Sequence, residues 1–276
     1  MVSGKIVENT CRICGADEFA MTCIKNGSRY VKCSGCGVIR QYPYPSKEET
    51  DAFYKKYLQI KNQENPVYMS DESWENFKKV RDFTLKDLNF SPGELKGKKV
   101  LDIGCATGLF VKYVNLYGGN GYGIDVSAQL VEIAQKNGLN CHLKDLFQVD
   151  ERFDIINLSH VIEHVDDPNR YLEFIYSILN EDGLLFLETP CTGIISDTFG
   201  ENWRFYMPTE HIHLFSQASL FKILVNKKLM IRGWIRFGSG NTTGTINQVS
   251  KNVADTIAKK LGIGDTISVL CQKKNS

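Results

Sequence analysis

Two different hydrophobic periodicities divide the chain near residue 98. Before it, apolar residues recur at helical spacing in two stretches, one that begins near Ser46 and one from about Ser73 to Asn89. After it, short apolar runs of strand length alternate with helical stretches. Regular alternation of strands and helices is typical of a parallel sheet covered on both faces, so we expect an α/β fold.

The alternating region predicts its elements one by one. Strands are expected at KKVLDIG, NGYGID, NCHLKD, FDIINLS and LLFLET, and later at 229–237 and 265–274. Helices are expected at 108–118, 127–137, 168–180, 217–228 and 247–261. Residues 191–215 show no clear period, and a loop of this length inside a compact domain is usually functional.

Local signals support the two helices before the sheet. Ser46 and Glu49 have the spacing of a capping box, with apolar residues at helical spacing over 53–58. Ser91-Pro92-Gly93 ends the second helix. We therefore predict three parts, namely a small N-terminal module over 1–45, a helical linker or lid over 46–97, and the α/β domain over 98–276.

Composition and charge narrow the class of protein. The chain has 276 residues, 42% hydrophobic and 24% charged, which excludes disorder, collagen and coiled coil. Its N-terminus lacks a charged start followed by an apolar run, and no apolar stretch approaches the roughly 18 residues of a membrane helix. We expect a cytoplasmic protein without a membrane partner. The net charge of +1 does not indicate nucleic acid, although residues 222–276 carry 10 basic against 2 acidic side chains.

Four of the nine cysteines have the spacing of a zinc site. Cys11 and Cys14 form one C-x-x-C pair, and Cys33 and Cys36 form a second one. Zn²⁺ prefers four tetrahedral thiolate or imidazole ligands, and glycines at 15, 35 and 37 suit the tight turns. Because four protein ligands close the site, the predicted Zn²⁺ is structural. The other five cysteines are expected to be small buried hydrophobic residues.

A glycine-rich turn follows the first strand of the alternating region. Asp102, Gly104, Cys105 and Gly108 lie there, and such a turn lets a ligand approach the backbone N–H groups of a helix start. The G-x-x-x-G spacing differs from the G-x-G-x-x-G of dinucleotide-binding folds. The negative charge of Asp102 would repel a pyrophosphate, but it is compatible with a cationic sulfonium that carries an amino-acid tail.

With these motifs the chain resembles the class I S-adenosylmethionine-dependent methyltransferases over about residues 100–276. The resemblance implies a Rossmann-like, seven-stranded, mostly parallel sheet with a small N-terminal zinc-ribbon module. Asp125 would accept both ribose hydroxyls of S-adenosylmethionine, and Asp145 would accept the adenine amino group. The implied cofactor-binding residues are Asp102, Gly104, Cys105, Gly108, Asp125, Val126, Asp145, Leu146, Ser159 and His160. Ala106 stands where the family often has glycine, and it is small enough that we expect binding to survive.

A base is also expected, because an oxygen or carbon acceptor must lose a proton on methylation. The stretch from Glu210 to Ser216 resembles zinc-ribbon methyltransferases that include deoxysugar C-methyltransferases. This resemblance implies that His211 is the catalytic base, with Glu210 beside it, and His164 is a second catalytic candidate. That family has a tyrosine where this chain has Pro208, so we place O-methylation before C-methylation and N-methylation. The loop aromatics Trp203, Phe205 and Tyr206 are expected to line the acceptor pocket.

The sequence therefore predicts a methyltransferase with S-adenosylmethionine and structural Zn²⁺ that acts on a small polar acceptor. A sugar or hydroxylated metabolite is expected, including a nucleotide sugar or glycan precursor. Two alternatives stay open. The ribbon and the basic C-terminal region could bind RNA, although no run of lysine or arginine exceeds two residues. The chain could also be a non-catalytic cofactor-binding module, against which the intact Asp102, Asp125 and Asp145 argue.

Overall fold

The computed structural model describes residues 10–53, 56, 71–241 and 246–274. Its strands are β1 (Phe19–Lys25), β2 (Ser28–Cys33), β3 (Ile39–Tyr42), β4 (Lys99–Ile103), β5 (Asn120–Asp125), β6 (Cys141–Leu143), β7 (Phe153–Ser159), β8 (Leu179–Thr192), β9 (His213–Ser216), β10 (Leu229–Phe237) and β11 (Thr266–Lys273). Its helices are α1 (Asp71–Asp87), α2 (Leu109–Leu116), α3 (Ala128–Lys136), α4 (Pro168–Ile178), α5 (Ile194–Phe199), α6 (Gln217–Asn226) and α7 (Gln248–Lys260).

Seven strands form the main sheet in the order β6-β5-β4-β7-β8-β11-β10. Neighbours from β6 to β8 are parallel, while β11 is antiparallel to both β8 and β10. The predicted α/β fold with a seven-stranded, mostly parallel sheet is therefore confirmed. The strand order reverses between β4 and β7, and open sheets of this kind bind ligands beyond the carboxyl ends of the strands at such a point.

The central strands are buried on both faces, which explains their near-continuous apolar sequences. Leu101 and Ile156 belong to the hydrophobic cluster that also contains residues of α4 and α6. Their chain neighbours Val100 and Ile155 belong to the opposite cluster, with residues of α1 and α2. Consecutive residues of one strand thus fill the two layers on either side of the sheet.

The N-terminal strands join the main sheet through β9. Strands β1, β2 and β3 form an antiparallel sheet, and Ile39 of β3 pairs with Leu214 of β9. Strand β9 in turn runs parallel to the last residues of β8, where Cys191 pairs with Phe215. Strand β9 lies in the segment for which the sequence predicts no period. The division of the chain at residues 45 and 97 stays a prediction.

The two helices before the sheet begin close to their predicted positions. Residues 47–53 are helical, with the backbone N–H of Ser46 donating to Glu49 Oε2 at 2.7 Å and that of Glu49 donating to Ser46 Oγ at 3.2 Å. The remainder of that predicted stretch, 54–58, falls outside the described residues apart from residue 56. The predicted helix 73–89 corresponds to α1. Among the helices of the described residues, none is long and apolar enough to span a bilayer.

Candidate active site

A cavity of about 400 Å³ opens where the central strands end. This volume is within the range of small-molecule and cofactor sites. Its wall contains six of the residues predicted to bind the cofactor, together with the candidate catalytic His164; the six are Gly104, Asp125, Val126, Asp145, Leu146 and His160. The parallel strands bring these residues together because their carboxyl ends share one edge of the sheet.

The other four predicted cofactor residues lie behind this wall. Cys105 is buried in a small cluster with Cys141, so its side chain packs behind the turn instead of lining the cavity. Gly108 starts α2 with a φ of +84°, and a Cβ there would come within 2.7 Å of Leu139. Glycine is therefore required at 108 for packing as well as for conformation.

Asp102 and Ser159 belong to a polar chain at the ends of β4 and β7. Asn157 Nδ2 donates to Asp102 Oδ1 at 2.7 Å, and Ser159 Oγ donates to Asn157 Oδ1 at 3.1 Å. Arg81 of α1 donates to Ser159 Oγ at 3.4 Å. Burial raises the pKa of Asp102 to about 7, against the lowering effect of the Asn157 hydrogen bond. A cation close to Asp102 would restore its full ionisation.

Asp125 holds the turn that faces the cavity. Its carboxylate accepts the backbone N–H of Ala106 at 2.9 Å and that of Ser127 at 2.8 Å. Each oxygen has a further lone pair, so two vicinal hydroxyls can still donate to the same carboxylate. Ala106 has a φ of +46°, a left-handed conformation that glycine adopts more easily.

The far wall of the cavity is apolar and suits a flat ring. Asp145 caps a short 3₁₀ turn by accepting the backbone N–H of Phe147 at 2.9 Å, and Leu146 is buried beside it. The guanidinium of Arg170 lies 4.4 Å from the centre of the Phe147 ring. The hydrogen bond to Asp145 and the contact with Arg170 thus hold this turn and the Phe147 ring in place.

Glu163 is at the centre of a polar cluster next to the cavity, and it is fully buried. It accepts hydrogen bonds from His160 Nδ1 at 3.2 Å and from Thr189 Oγ1 at 2.9 Å. Burial opposes ionisation of Glu163, but the hydrogen bond from His160 and the electrostatic effects of the nearby histidines together outweigh it and lower its pKa to about 2. Burial likewise opposes protonation of His160, yet hydrogen bonds with Glu163 and Glu188 raise its pKa to about 10. The pair is therefore charged at neutral pH.

His164 and His211 face Glu163 with their rings 4.9 Å apart. His164 Nδ1 lies 2.6 Å from the carbonyl oxygen of Glu210, and His211 Nδ1 lies 2.9 Å from that of Phe205. A carbonyl only accepts, so both Nδ1 atoms are assigned a proton. Burial, followed by the nearby His164, lowers the pKa of His211 to about 3. His211 is neutral at neutral pH, and its Nε2 can accept a proton.

Comparison with known proteins places this geometry in a family. Residues 74–227, more than half of the chain, match the family model described as "Methyltransferase domain". A magnesium protoporphyrin IX methyltransferase from Synechocystis PCC 6803, solved with bound S-adenosylmethionine, has the same fold. It is 15% identical with a TM-score of 0.55, over 83% of this chain and 99% of that one. The chain belongs to the class I S-adenosylmethionine-dependent methyltransferases.

Curated relatives of this methyltransferase are named "Ubiquinone biosynthesis O-methyltransferase". The one from Glaesserella parasuis is 34% identical over 116 residues, which cover 37% of this chain and 49% of the relative. The one from Coxiella burnetii is 35% identical over 104 residues, 34% of this chain and 44% of the relative. The chain thus spans about half the length of the curated relatives it matches. The methyltransferase of a Haloferax volcanii complex with the Trm112 activator gives a TM-score of 0.58 at 15% identity, over 84% of this chain and all of that one.

The remaining candidate residues of the methyltransferase lie in different surroundings. Glu210 contributes its backbone oxygen to His164 and has a buried side chain. Trp203 and Tyr206 were expected in the acceptor pocket, but Trp203 is fully buried against Asp265 and Tyr206 packs on Tyr30. Phe205 alone of the three faces the histidines, with its ring centre 5.8 Å from that of His211.

Three site residues were not predicted from the sequence. Glu188 is the second-to-last residue of LLFLET, so the rule that drew attention to acids near the ends of predicted strands applies to it as well. Glu163 stands between His160 and His164, where local sequence cannot show that its side chain is buried. Arg81 lies within a predicted helix, and its place over the ends of β4 and β7 depends on how α1 packs.

The four cysteine sulfurs of the N-terminal module meet at one point. The Cys11 and Cys36 Sγ atoms are 3.6 Å apart, those of Cys14 and Cys33 are 3.5 Å apart, and all four lie within 4.8 Å of one another. A Zn–S distance of about 2.3 Å gives a tetrahedral S···S spacing of about 3.8 Å. The four side chains therefore fit a zinc ion.

The glycines of the two C-x-x-C turns serve different purposes. Gly15 and Gly37 have φ values of +77° and +76°, as predicted for residues in left-handed turns. Gly35 does not have a positive φ; instead a Cβ there would come within 2.8 Å of Ala16 and 3.2 Å of Cys14 Sγ. Its lack of a side chain leaves room for the sulfurs.

Proposed function

We propose that this methyltransferase transfers a methyl group to a hydroxyl oxygen of a small polar acceptor, such as a sugar, a nucleotide sugar or another hydroxylated metabolite. The observation that carries the proposal is the cluster of the buried Glu163 and His211 with the partly exposed His164 beside the cavity. It offers imidazole nitrogens next to a fixed carboxylate, which suits the removal of a hydroxyl proton. The name of the curated relatives, an O-methyltransferase of a small molecule, supports the same reaction type.

Different residues would bind the two ends of S-adenosylmethionine, which supplies an electrophilic methyl group on a sulfonium sulfur. Asp125 would accept the ribose hydroxyls, while Asp145 and Leu146 would hold the adenine. Asp102 would face the ammonium of the amino-acid tail, and Arg81 would face its carboxylate. Opposite charges are thus available for both groups of that tail, and alignment of the methyl group is the main contribution of these residues.

His211 would be the general base. Burial keeps it unprotonated, its Nδ1–H is held by Phe205, and its Nε2 faces Glu163 and His164. When the acceptor oxygen takes the methyl group, the bond from that methyl carbon to the sulfonium sulfur would break and S-adenosylhomocysteine would leave. The acceptor O–H becomes acidic in this step, and its proton would pass to His211 Nε2. Glu163 stabilises the imidazolium that forms.

The four cysteines would hold a structural Zn²⁺ in the N-terminal module, and the geometry of their sulfurs supports this. Zinc with four thiolate ligands has no open position for water or substrate, so it would fix the fold of the module and take no part in methyl transfer.

The RNA alternative finds little support in the basic C-terminal region. Lys227 pairs with Glu173, Lys251 with Asp255 and Lys259 with Asp87. Paired lysines are less available to neutralise phosphates, so this region is not a continuous phosphate-binding surface.

The test is transfer of label from methyl-labelled S-adenosylmethionine to an extract of the source cells, separated into small-molecule, RNA and protein fractions. We expect nuclease-resistant label in the small molecules, and release of that label as methyl iodide on heating with hydroiodic acid, which cleaves methyl ethers. Label that nuclease removes from the RNA fraction would overturn the small-molecule proposal. Label that resists hydroiodic acid would indicate methylation of carbon or nitrogen instead of oxygen.

A further inference from the structure

The backbone turn between Cys11 and Cys14, which we call the zinc turn, is hydrogen-bonded to the methyltransferase domain. Arg12 and Ile13 are the two residues between the predicted ligands Cys11 and Cys14. The side-chain amide of Asn169 donates to the Arg12 carbonyl at 2.8 Å and to the Ile13 carbonyl at 3.1 Å. One amide group thus binds both peptide carbonyls inside the turn.

A second set of contacts reaches the same place from the side chains. The guanidinium of Arg12 forms an ion pair with Asp166 and lies 3.8 Å from the centre of the Tyr44 ring. The Tyr44 hydroxyl contacts His213 Nε2 at 3.2 Å, and His213 Nδ1 donates to the Val165 carbonyl at 3.1 Å. Residues 165–170 are therefore in contact with two parts of the N-terminal module. One is the zinc turn, and the other is Tyr44, which follows β3.

Residues 165–170, which we call the wall segment, form one side of the cofactor cavity. Val165, Asp166, Asp167 and Arg170 all line it. Asp167 caps α4 by accepting the backbone N–H of Arg170 at 3.1 Å. Arg170 then lies over Phe147, on the wall where the adenine is expected. The wall segment thus lies between the cavity on one side and the zinc module on the other.

We propose that Asn169 and Arg12 are positioning residues through which the four-cysteine zinc site sets the affinity of the methyltransferase for its cofactor. With zinc bound, the four sulfurs fix the backbone of the turn, and its two carbonyls hold Asn169 one residue before Arg170. Without zinc, the turn loses the crosslink that orients those carbonyls, and the wall segment loses its outer support. The proposal rests on the proposed zinc site and on cofactor binding, and it is independent of the acceptor.

Coupling between the two sites must be reciprocal, which a purely structural module would not require. If zinc strengthens cofactor binding by some factor, the cofactor must strengthen zinc binding by the same factor. Coupling between two sites is typically 5-fold to 150-fold. Cofactor in the cavity must therefore tighten zinc binding at a site that it does not touch, and a change at Asn169 must abolish that effect.

The experiment uses the full zinc-loaded chain and S-adenosylhomocysteine as the probe, measured by isothermal titration calorimetry. We expect Asn169→Ala to raise Kd about five- to twentyfold while zinc analysis still gives one ion per chain. The matched control is Asn137→Ala, an exposed amide that donates to the Ile133 carbonyl at the end of α3, and it should leave Kd unchanged. Arg12→Gln, which removes the ion pair with Asp166 from outside the cavity wall, is the second variant if Asn169→Ala does not fold.

The reciprocal measurement is the zinc affinity, obtained by equilibrium competition with a chromogenic chelator, with and without saturating S-adenosylhomocysteine. We expect the probe to raise the zinc affinity of the wild-type chain at least about fivefold and to have no such effect on Asn169→Ala. Unchanged Kd in both variants, a zinc affinity that ignores the probe, or a freshly purified chain without zinc would each overturn the proposal. None of these readouts involves methyl transfer, so they do not depend on the proposed reaction.

Discussion

His160 Nδ1 lies 3.2 Å from Oε1 of Glu163, a carboxylate with no exposed surface, and this contact joins two parts of the site. His160 adopts a left-handed φ of +53° directly after β7. The carbonyl oxygen of Glu163 accepts the backbone N–H groups of Ile212 and His213, each at 3.0 Å. The turn that faces the cofactor cavity is therefore tied to the segment that carries His211.

His160→Ala should destabilise the protein in a pH-dependent manner. The contribution of His160 is complete below its unfolded pKa of about 6.5 and is lost as pH rises through its folded pKa of about 10. That of Glu163 is complete above about 4.5 and is lost as pH falls towards 2. At pH 6 we expect a loss of about 2 kcal/mol, below the usual cost of breaking a buried pair because His160 is 43% exposed and solvent screens its charge.

Urea unfolding of His160→Ala and wild-type protein at pH 6, 8 and 9.5 measures this difference. It should shrink steadily as pH rises, because the wild-type protein itself loses the ion pair. A difference that is the same at all three pH values would show that His160 stabilises the fold by packing alone.

Glu163→Gln should lower the pKa of His160, because an amide keeps the hydrogen-bond geometry but removes the negative charge that favours the imidazolium. Glu188 remains near His160 Nε2 at 3.5 Å, so the pKa should fall part of the way from about 10 towards neutral. An NMR titration of the His160 ring protons measures it. Glu173→Gln, which removes an exposed carboxylate paired with Lys227, is the control and should leave the titration unchanged.

Much of the fold follows from local sequence because the central strands are largely buried on both faces and are therefore mostly apolar. The runs KKVLDIG, NGYGID and FDIINLS contain β4, β5 and β7. Strand β9 could not be found in the same way. It has four residues, and its partner β3 lies about 175 positions earlier in the chain, so the pairing that makes it a strand leaves no local pattern.

The residues of the site also differ in whether local sequence could predict their positions. Asp125 and Asp145 were found because the strand ends fix their places whatever the rest of the chain does. The importance of Glu163 depends on Thr189 from the next strand and on backbone groups some fifty residues later. Trp203 and Tyr206 were misplaced for the same reason, since only the fold shows that Asp265 and Tyr30 meet them.

Asp125→Asn should weaken cofactor binding more than any surface change. The carboxylate already accepts two backbone N–H groups, and under the proposed function the ribose hydroxyls would need both of its oxygens again. Asparagine offers one acceptor oxygen and turns an N–H group towards donors. At roughly 1.5–3 kcal/mol for each charge-assisted hydrogen bond, we expect the Kd for S-adenosylhomocysteine to rise about 10- to 100-fold. Titration calorimetry checks this, and the exposed Asp150→Asn should match wild type.

His211→Ala should separate binding from chemistry. The side chain of His211 is not part of the cavity wall, so the Kd for S-adenosylhomocysteine should stay within about twofold of wild type. Turnover should fall by about 10²- to 10⁴-fold, which is the usual contribution of a general base. At saturating cofactor, whose ammonium would keep Asp102 ionised, the wild-type rate should also be level between pH 5.5 and 8.5, because the pKa of His211 is about 3 and that of His160 is about 10.

His142→Ala is the matched control for this prediction. His142 contacts Asn140 at 2.8 Å and stacks on Tyr122, away from Glu163, so its loss should leave turnover unchanged. If His211→Ala binds cofactor normally and keeps full turnover, the base is not His211. His164 is then the remaining imidazole of the cluster beside Glu163, and His164→Gln should carry the loss instead. If both variants keep full turnover, the acceptor loses its proton without help from this cluster.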